Sequence, residues 1–334
     1  MISLTRATDH KLECLLCPHH CKLSAGQTGI CGARTNTGNT IELTTYGIIS
    51  GFSLDPIEKK PLYHFFPGSS ILSIGSYGCN MRCDFCQNYN ISQFVKTGKS
   101  HYSSPESIVQ KALSTENNIG VAFTYNEPSI SFEFVRDTAL AAKSKGLYNV
   151  MVSNGYVNSE PLSEIIRFTD AFNIDLKAFN QDFYRKLAGA NLEPVKSTLR
   201  QIAKSGRHLE VTTLIIPGQN DNEDEMTTQI QWMADELGKD VPFHLSRYFP
   251  NYKRKDPLTS EDALKKLTDI ASEKLTYVYT GNTVDFSRQD TTCPGCRKTV
   301  TMRSGYTTVL VNLDKEGNCT NCGTRIYRYF IPSF

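Results

Sequence analysis

Eleven cysteines, grouped as four, three and four along 334 residues, constrain this chain more than any other feature. The central three, Cys79, Cys83 and Cys86, follow C-x3-C-x2-C spacing. Three such thiolates can hold three corners of a [4Fe–4S] cube and leave the fourth iron without a protein ligand, because these clusters ordinarily take four cysteines. A zinc ion or three buried thiols are the competing readings. Structural zinc takes four protein ligands, however, and each flanking set is already a complete four. The spacing points to a cluster with one exchangeable corner.

The remaining composition is that of a globular chain. With 39% hydrophobic and 21% charged residues, it suits one large domain with small appendages. A net charge of +2 provides no global field to select nucleic acid, a membrane or an acidic substrate. No run approaches the roughly 18 consecutive apolar residues of a membrane span, and the mixed-charge opening residues lack the apolar core of an export signal. The expectation is a cytoplasmic protein with neither membrane nor nucleic acid as partner. Reducing conditions there favour metal binding over disulfides, and an odd number of cysteines agrees.

Between the cysteine sets, β-branched and aromatic runs alternate with amphipathic segments. Strands are expected near 71–75, 120–125, 148–153, 171–176, 208–216, 242–246 and 275–280. Ser104-Pro105 reads as a helix start, and Gly206, after Lys204-Ser205, as a helix end. Strands separated by helices build a parallel sheet, and repeated right-handed crossovers curl it toward a full or partial barrel. Polar and turn residues follow the strands in order: Gly78-Cys79, Asn126-Glu127-Pro128, Asn154-Gly155, Asp175 with Lys177, Pro217-Gly218 and Arg247. In a βα barrel that end of the strands is the active-site rim.

C-x3-C-x-aromatic-C, with Phe85 as the aromatic, resembles the signature of the radical S-adenosylmethionine (SAM) superfamily. The resemblance implies a [4Fe–4S] cluster whose open iron is chelated by SAM. It also implies an electron from the reduced cluster, cleavage of the sulfonium C–S bond, and a 5′-deoxyadenosyl radical that abstracts hydrogen from a substrate. Thr124-Tyr125-Asn126-Glu127-Pro128 lies where the family has its Gly-Gly-Glu motif, which implies that Glu127 accepts from the methionine ammonium. Asp175-Leu176-Lys177 and the Asn154 of Val152-Ser153-Asn154-Gly155 are similar to motifs of glycyl-radical activating enzymes, pyruvate formate-lyase activating enzymes among them. Asp175, Lys177 and Asn154 then bind SAM, and His244 matches a late-barrel His near the adenine. Val152 replaces the Asp of those activators, so a cation site built on that Asp is not carried over. The stretches Asp55-Pro56-Ile57-Glu58-Lys59-Lys60, His244-Leu245-Ser246-Arg247 and Tyr279-Thr280-Gly281-Asn282 further resemble the radical enzyme of the three-protein AmmeMemoRadiSam set. Tyr327–Phe334 departs from that family's usual ending. The implied partners are an electron donor such as flavodoxin or ferredoxin and the other two proteins of the set. No catalytic residue is assigned.

At the C-terminus, Cys293-Pro294-Gly295-Cys296 and Cys319-Thr320-Asn321-Cys322 are separated by 22 residues, the pattern of a zinc ribbon. Thr299–Arg303 and Tyr306–Val311 alternate like the strands of a hairpin. Six cations in this region outnumber Asp314 and Glu316, a modest excess that a solvated face explains. At the N-terminus, Cys14, Cys17, Cys21 and Cys31 form another four, with zinc or a second iron–sulfur cluster as alternatives and His19 and His20 as further candidate ligands. Asp55–His64, held extended by prolines, reads either as a wrap over the barrel mouth or as a linker pinned by Ile57, Leu62 and Phe65.

The expected architecture is α/β, a partial (βα) barrel of radical SAM type. Residues 1–60 form a four-cysteine metal-binding extension, 61–285 the barrel, and 286–334 the zinc ribbon. The expected activity is radical initiation on an undefined small molecule or protein, glycyl-radical activation included. The alternative from another class is an iron–sulfur and zinc scaffold that senses redox state and docks a partner or nucleic acid. Such a scaffold has no use for Glu127, Asp175 and Lys177 at strand ends.

Overall fold

The computed structural model describes residues 3–95 and 101–331. The atypical C-terminal stretch is therefore described to Ile331, and 332–334 lie outside the described residues. Seven parallel strands run in sequence order across one curved sheet: Ser70–Gly75, Asn118–Phe123, Tyr148–Ser153, Ala171–Asp175, His208–Ile215, Phe243–Arg247 and Val278–Gly281. Each agrees with an expected strand to within three residues at either end. An eighth strand, Gly51–Pro56, comes from the N-terminal side of the expected barrel limit at residue 61. It pairs antiparallel with Ser70–Gly75 and closes that edge.

Helices supply every crossover after the first strand: Pro105–Ser114, Phe132–Lys143, Ser159–Phe168, Leu192–Lys204, Glu223–Glu236 and Glu261–Ser272. Their ends follow from local chemistry. Ser104 Oγ accepts from the Ser107 amide at 3.2 Å, with Pro105 at the first helical position. Asn222 caps Glu225 at 2.9 Å, ahead of three acidic residues that suit the positive end of the helix. Gly206, at φ +73°, lets the chain leave Leu192–Lys204. Val195, Leu199 and Ile202 repeat on one helix face and are fully buried against the sheet.

Two small modules flank this sheet. The N-terminal one is built from short antiparallel strands, Thr5–Thr8, Lys11–Cys14 and Lys22–Leu23, followed by the pair Arg34–Asn36 and Ile41–Leu43. Arg34 anchors it. Its buried guanidinium forms a two-pronged bond to Glu133 on the helix Phe132–Lys143, at 2.7 Å on each arm. The C-terminal module is the antiparallel hairpin Thr299–Ser304 and Thr307–Leu310, with Thr291–Thr292 on its edge. Among the described residues, no helix is long and apolar enough to cross a membrane.

The segment between the edge strand and the first parallel strand serves both roles expected of it. Ile57, Leu62 and Phe65 are wholly buried, so it is pinned. Glu58 and Lys60 are buried as well, and they line the central cavity. His64 lies in the same segment with Nε2 2.6 Å from the Tyr279 hydroxyl. Burial holds its pKa down at about 3, with Arg303, His208 and His244 adding to the effect against Glu210. An unfolded His titrates near 6.5, so the folded state's preference for neutral His64 stabilises it fully above pH 6.5 and is lost as pH falls from 6.5 toward 3. Between pH 7 and 5 this amounts to about 2 kcal/mol. Denaturant unfolding at the two pH values should show wild type losing about 2 kcal/mol more than His64→Gln; equal losses would refute the assignment.

Candidate active site

The strand ends form the rim of a cavity of about 720 Å³. Cys79, Cys83 and Cys86 line it together with Glu127, Asn154, Asp175, Lys177 and His244. The structure therefore brings all five expected SAM-binding residues and the three central cysteines to one cavity.

The cysteine loop is positioned by its neighbours rather than by regular structure. Asn126 accepts from the Ser76 amide at 2.9 Å and donates to the Gly78 carbonyl at 2.9 Å, which fixes the approach to Cys79. A single π-helical turn, Tyr184–Ala188, offers the carbonyls of Leu187 and Ala188 to the amides of Asp84 and Arg82, at 3.0 and 2.7 Å. Among the described residues, no three sulfurs of the central set gather within 4.8 Å of one another, whereas the C-terminal four do. A cubane, whose thiolates bind different corner irons and sit roughly 6 Å apart, needs a wider set than a single tetrahedral ion does. Burial pushes the Cys79 thiol well up, with Glu127 adding to it. Burial also raises Cys83 to about 11, opposed by Lys177. Two such buried thiolates call for a cationic partner, and an iron cluster is one.

Glu127 is buried, and three donors hold its carboxylate. Ser153 Oγ and the Ser129 amide reach Oε1 at 2.8 and 3.0 Å, and the Asn154 amide reaches Oε2 at 2.8 Å. No described cation forms an ion pair with it, and burial raises its pKa against these hydrogen bonds. An oriented buried carboxylate beside Cys79 fits the ammonium of a SAM methionine. Asn154 Nδ2 donates to Asn80 Oδ1 at 2.9 Å and lies 3.6 Å from Cys79 Sγ, so it braces the cysteine loop from within the cavity. Lys177 Nζ is 3.0 Å from Asp175. Burial works against its charge, but Asp175 and Cys83 prevail and hold its pKa above that of a free lysine.

His244 does not end its strand as a free imidazole. Nε2 sits 2.6 Å from Glu210 Oε2. Glu210 also accepts from the amides of Tyr63 and His64 and lies 2.9 Å from His208 Nε2. Burial would raise Glu210, but the bonds to His208 and His244 hold it far below the carboxylate range. Sequence reasoning missed Glu210; an acid inside the β-branched strand His208–Ile215 was the available signal. It also missed Tyr125, whose φ of +71° is a strained conformation for a tyrosine. Tyr125 donates to Asp55 at 2.5 Å, and Asp55 also holds Lys60 at 2.6 Å, so the buried Asp55 ties together Lys60 and the half-buried Tyr125, both of which line the cavity.

In the C-terminal module, Cys293, Cys296, Cys319 and Cys322 come together, with Sγ–Sγ distances of 3.4 Å (Cys293–Cys322) and 3.6 Å (Cys296–Cys319). Four thiolates on one tetrahedral ion bound at 2.3 Å are about 3.8 Å apart, so this group can hold a metal. Gly305 and Tyr306, at the tip of the same hairpin, line the cavity. The N-terminal Cys14, Cys17 and Cys31 are buried and Cys21 half-buried. Neither neighbouring histidine turns to them: His19 Nε2 lies 2.7 Å from the Asn80 carbonyl, and His20 Nδ1 lies 3.0 Å from Glu13.

Comparison with known proteins agrees with this geometry. The model of the Radical SAM superfamily matches residues 73–230. An uncharacterised protein of Methanocaldococcus jannaschii is 40% identical over 95% of this chain and 96% of its own. The pyruvate formate-lyase 1-activating enzyme of Escherichia coli is 25% identical, over 44% of this chain and 61% of that one. Among solved structures, a radical SAM methyltransferase from Sphaerobacter thermophilus shares the fold, with a TM-score of 0.52 and 15% identity over 67% of this chain and 70% of that one.

Proposed function

We propose, on the match of residues 73–230 to the Radical SAM superfamily and the similarity to a pyruvate formate-lyase activating enzyme, that the chain initiates radical chemistry by reductive cleavage of SAM in the cavity at the strand ends. The observation that carries this reading is Glu127, a buried carboxylate with three donors and no ion pair to any described cation, in the same cavity as the three central cysteines. Cys79, Cys83 and Cys86 would hold the cluster. Together with SAM, it supplies a 5′-deoxyadenosyl radical that takes hydrogen from the substrate.

The protein's own residues orient and enclose. Glu127 holds the ammonium end of SAM. Lys177, kept cationic by Asp175, faces the carboxylate end, and Asn154 keeps the cysteine loop in place. His244, locked by Glu210, presents one ring edge near the adenine. The substrate, a small molecule or another protein's glycyl residue, enters past Tyr306 and meets the wall of Lys60 and Tyr125, which Asp55 ties together. We take the chain to be the radical enzyme of the AmmeMemoRadiSam set, working in the cytoplasm with a flavodoxin or ferredoxin as donor. Zinc holds the C-terminal cysteines, and we place the three units at residues 1–50, 51–285 and 286–334, with the strand Gly51–Pro56 counted in the barrel sheet. A redox-sensing scaffold leaves Glu127 without a purpose.

Equilibrium dialysis of SAM against anaerobically reconstituted protein tests the site. Glu127→Gln should weaken SAM binding about 10- to 100-fold, the worth of a charge-assisted hydrogen bond. Unchanged affinity would remove Glu127 from the cofactor site.

A further inference from the structure

We propose that Cys14, Cys17, Cys21 and Cys31 hold a second [4Fe–4S] cluster that passes single electrons to the cluster at Cys79, Cys83 and Cys86. The relay rests on the catalytic reading above; the identity of the N-terminal site does not.

Three observations select this site. First, the Cys14 amide donates to the Cys21 carbonyl at 2.9 Å, and a Cβ on Gly29, two residues before Cys31, would lie 3.7 Å from Cys21 Sγ, so the short strands bring Cys14, Cys21 and Cys31 together, with Cys17 in the turn between the first two. Yet among the described residues no three of them gather within 4.8 Å, whereas the C-terminal four all do. One chain therefore contains a tight set that matches a single tetrahedral ion, at about 3.8 Å between sulfurs. It also contains two sets that do not close to that spacing, and a cubane, whose thiolates reach separate corners roughly 6 Å apart, needs a wider set. Second, backbone amides of Leu16, His19, Ala33 and Arg34 face the sulfurs of Cys14, Cys17 and Cys31, and the buried Arg34 guanidinium lies beside Cys14 and Cys31. Amides and a fixed cation around thiolates stabilise a cluster's negative charge and set its potential.

Third, this set abuts the catalytic loop. A Cβ on Gly78 would come within 2.4 Å of the Cys31 carbonyl, so only glycine, here at φ +92°, permits the contact one residue before Cys79. Arg82 donates to the carbonyls of Ile30 and Cys79, and His19 bonds the Asn80 carbonyl at 2.7 Å. Cys21 is half-buried and precedes the exposed turn Ala25–Thr28, so the N-terminal set lies between solvent and the catalytic loop. In the relay, a low-potential one-electron protein reductant of the ferredoxin or flavodoxin class reduces the N-terminal cluster from 2+ to 1+. That cluster returns to 2+ as the central cluster goes from 2+ to 1+. One electron moves at each step, and no proton or bond change is required.

Metal analysis and EPR of protein purified and reconstituted anaerobically separate the possibilities. Wild type should carry about eight irons and one zinc per chain, and Cys79→Ala/Cys83→Ala/Cys86→Ala about four irons with a reducible [4Fe–4S] signal that SAM does not perturb. Four irons and two zincs in wild type, or an iron-free triple variant, would overturn the site. This readout needs no SAM cleavage, so it stands apart from any failure of the proposed reaction. For the relay, Cys21→Ser should slow reduction of the central cluster by reduced ferredoxin at least about tenfold while dithionite still reduces it. If that variant does not fold, rapid-freeze EPR of wild type mixed with reduced ferredoxin must show the N-terminal signal rising first. An undiminished rate, or a central signal that rises first, would overturn the relay.

Discussion

A Cys83→Ala chain is expected to form no 5′-deoxyadenosine above background when reconstituted anaerobically, reduced with dithionite and given SAM. Wild type should form it under the same conditions. Cys83 is buried opposite Lys177 in the cavity, and burial keeps its thiol up near 11 when no metal is bound. Removing one of three protein ligands leaves a cube with two irons that lack a protein thiolate. The C-terminal module offers an internal control. Cys293, Cys296 and Cys319 lie in or against a separate core with Val300 and Tyr327, and Cys322 completes the set, so its metal should remain at one per chain. Mass spectrometry of 5′-deoxyadenosine and metal analysis of the same sample check both statements. Retained cleavage in the variant would refute the central cluster as the radical source, while loss of both metals would mean that the substitution had unfolded the chain.

The parts of this protein that were legible in its sequence are those where one local pattern has one physical solution. Ser104-Pro105 can begin a helix and do little else, and alternating β-branched runs between amphipathic segments have few packings other than a parallel sheet. The cysteine spacings were similarly restrictive. What stayed hidden depends on residues far apart in sequence. Glu210 acquires its role only because the segment bearing Tyr63 and His64 folds back over the strand that carries it, some 147 residues away. Asp55 gathers Lys60 and Tyr125 from two sides of the sheet edge, and only the folded chain shows that Tyr125 is in a left-handed conformation. The C-terminal hairpin could be read as a metal module, but nothing local indicated that Gly305 and Tyr306 would border the cavity.

That border depends on Arg303, and replacing it should cost more stability than most single substitutions. Its guanidinium is fully buried between the ribbon and the barrel. It donates to the carbonyls of Tyr63 and Gln289 at 2.9 and 3.0 Å and to the Thr291 hydroxyl at 2.8 Å. It also lies over the Tyr63 ring, 4.2 Å from its centre. Glu58 stands 3.9 Å from Nε, and burial raises its pKa despite the arginine, so the cation is compensated mainly by dipoles and aromatic faces. Arg303→Ala leaves two buried carbonyls without their donor and the buried Glu58 without its neighbouring cation, and should destabilise the protein by about 3–5 kcal/mol. Hydrogen exchange should show the first opening at Gln289–Ser304 and at Tyr63–His64, because those backbones lose the side chain that joins them. Arg303→Lys, which keeps the charge but not the three-way fork, should recover only part of the loss. A change below about 1 kcal/mol, with unaltered exchange at Tyr63, would mean that the ribbon is held by its aromatic contacts alone. If the larger loss is found, metal binding at Cys293–Cys322 and the shape of the cavity mouth are coupled, since Arg303 shares a hairpin with Tyr306. Chelating the C-terminal metal should then loosen Tyr306 and lower turnover without removing iron from the central site.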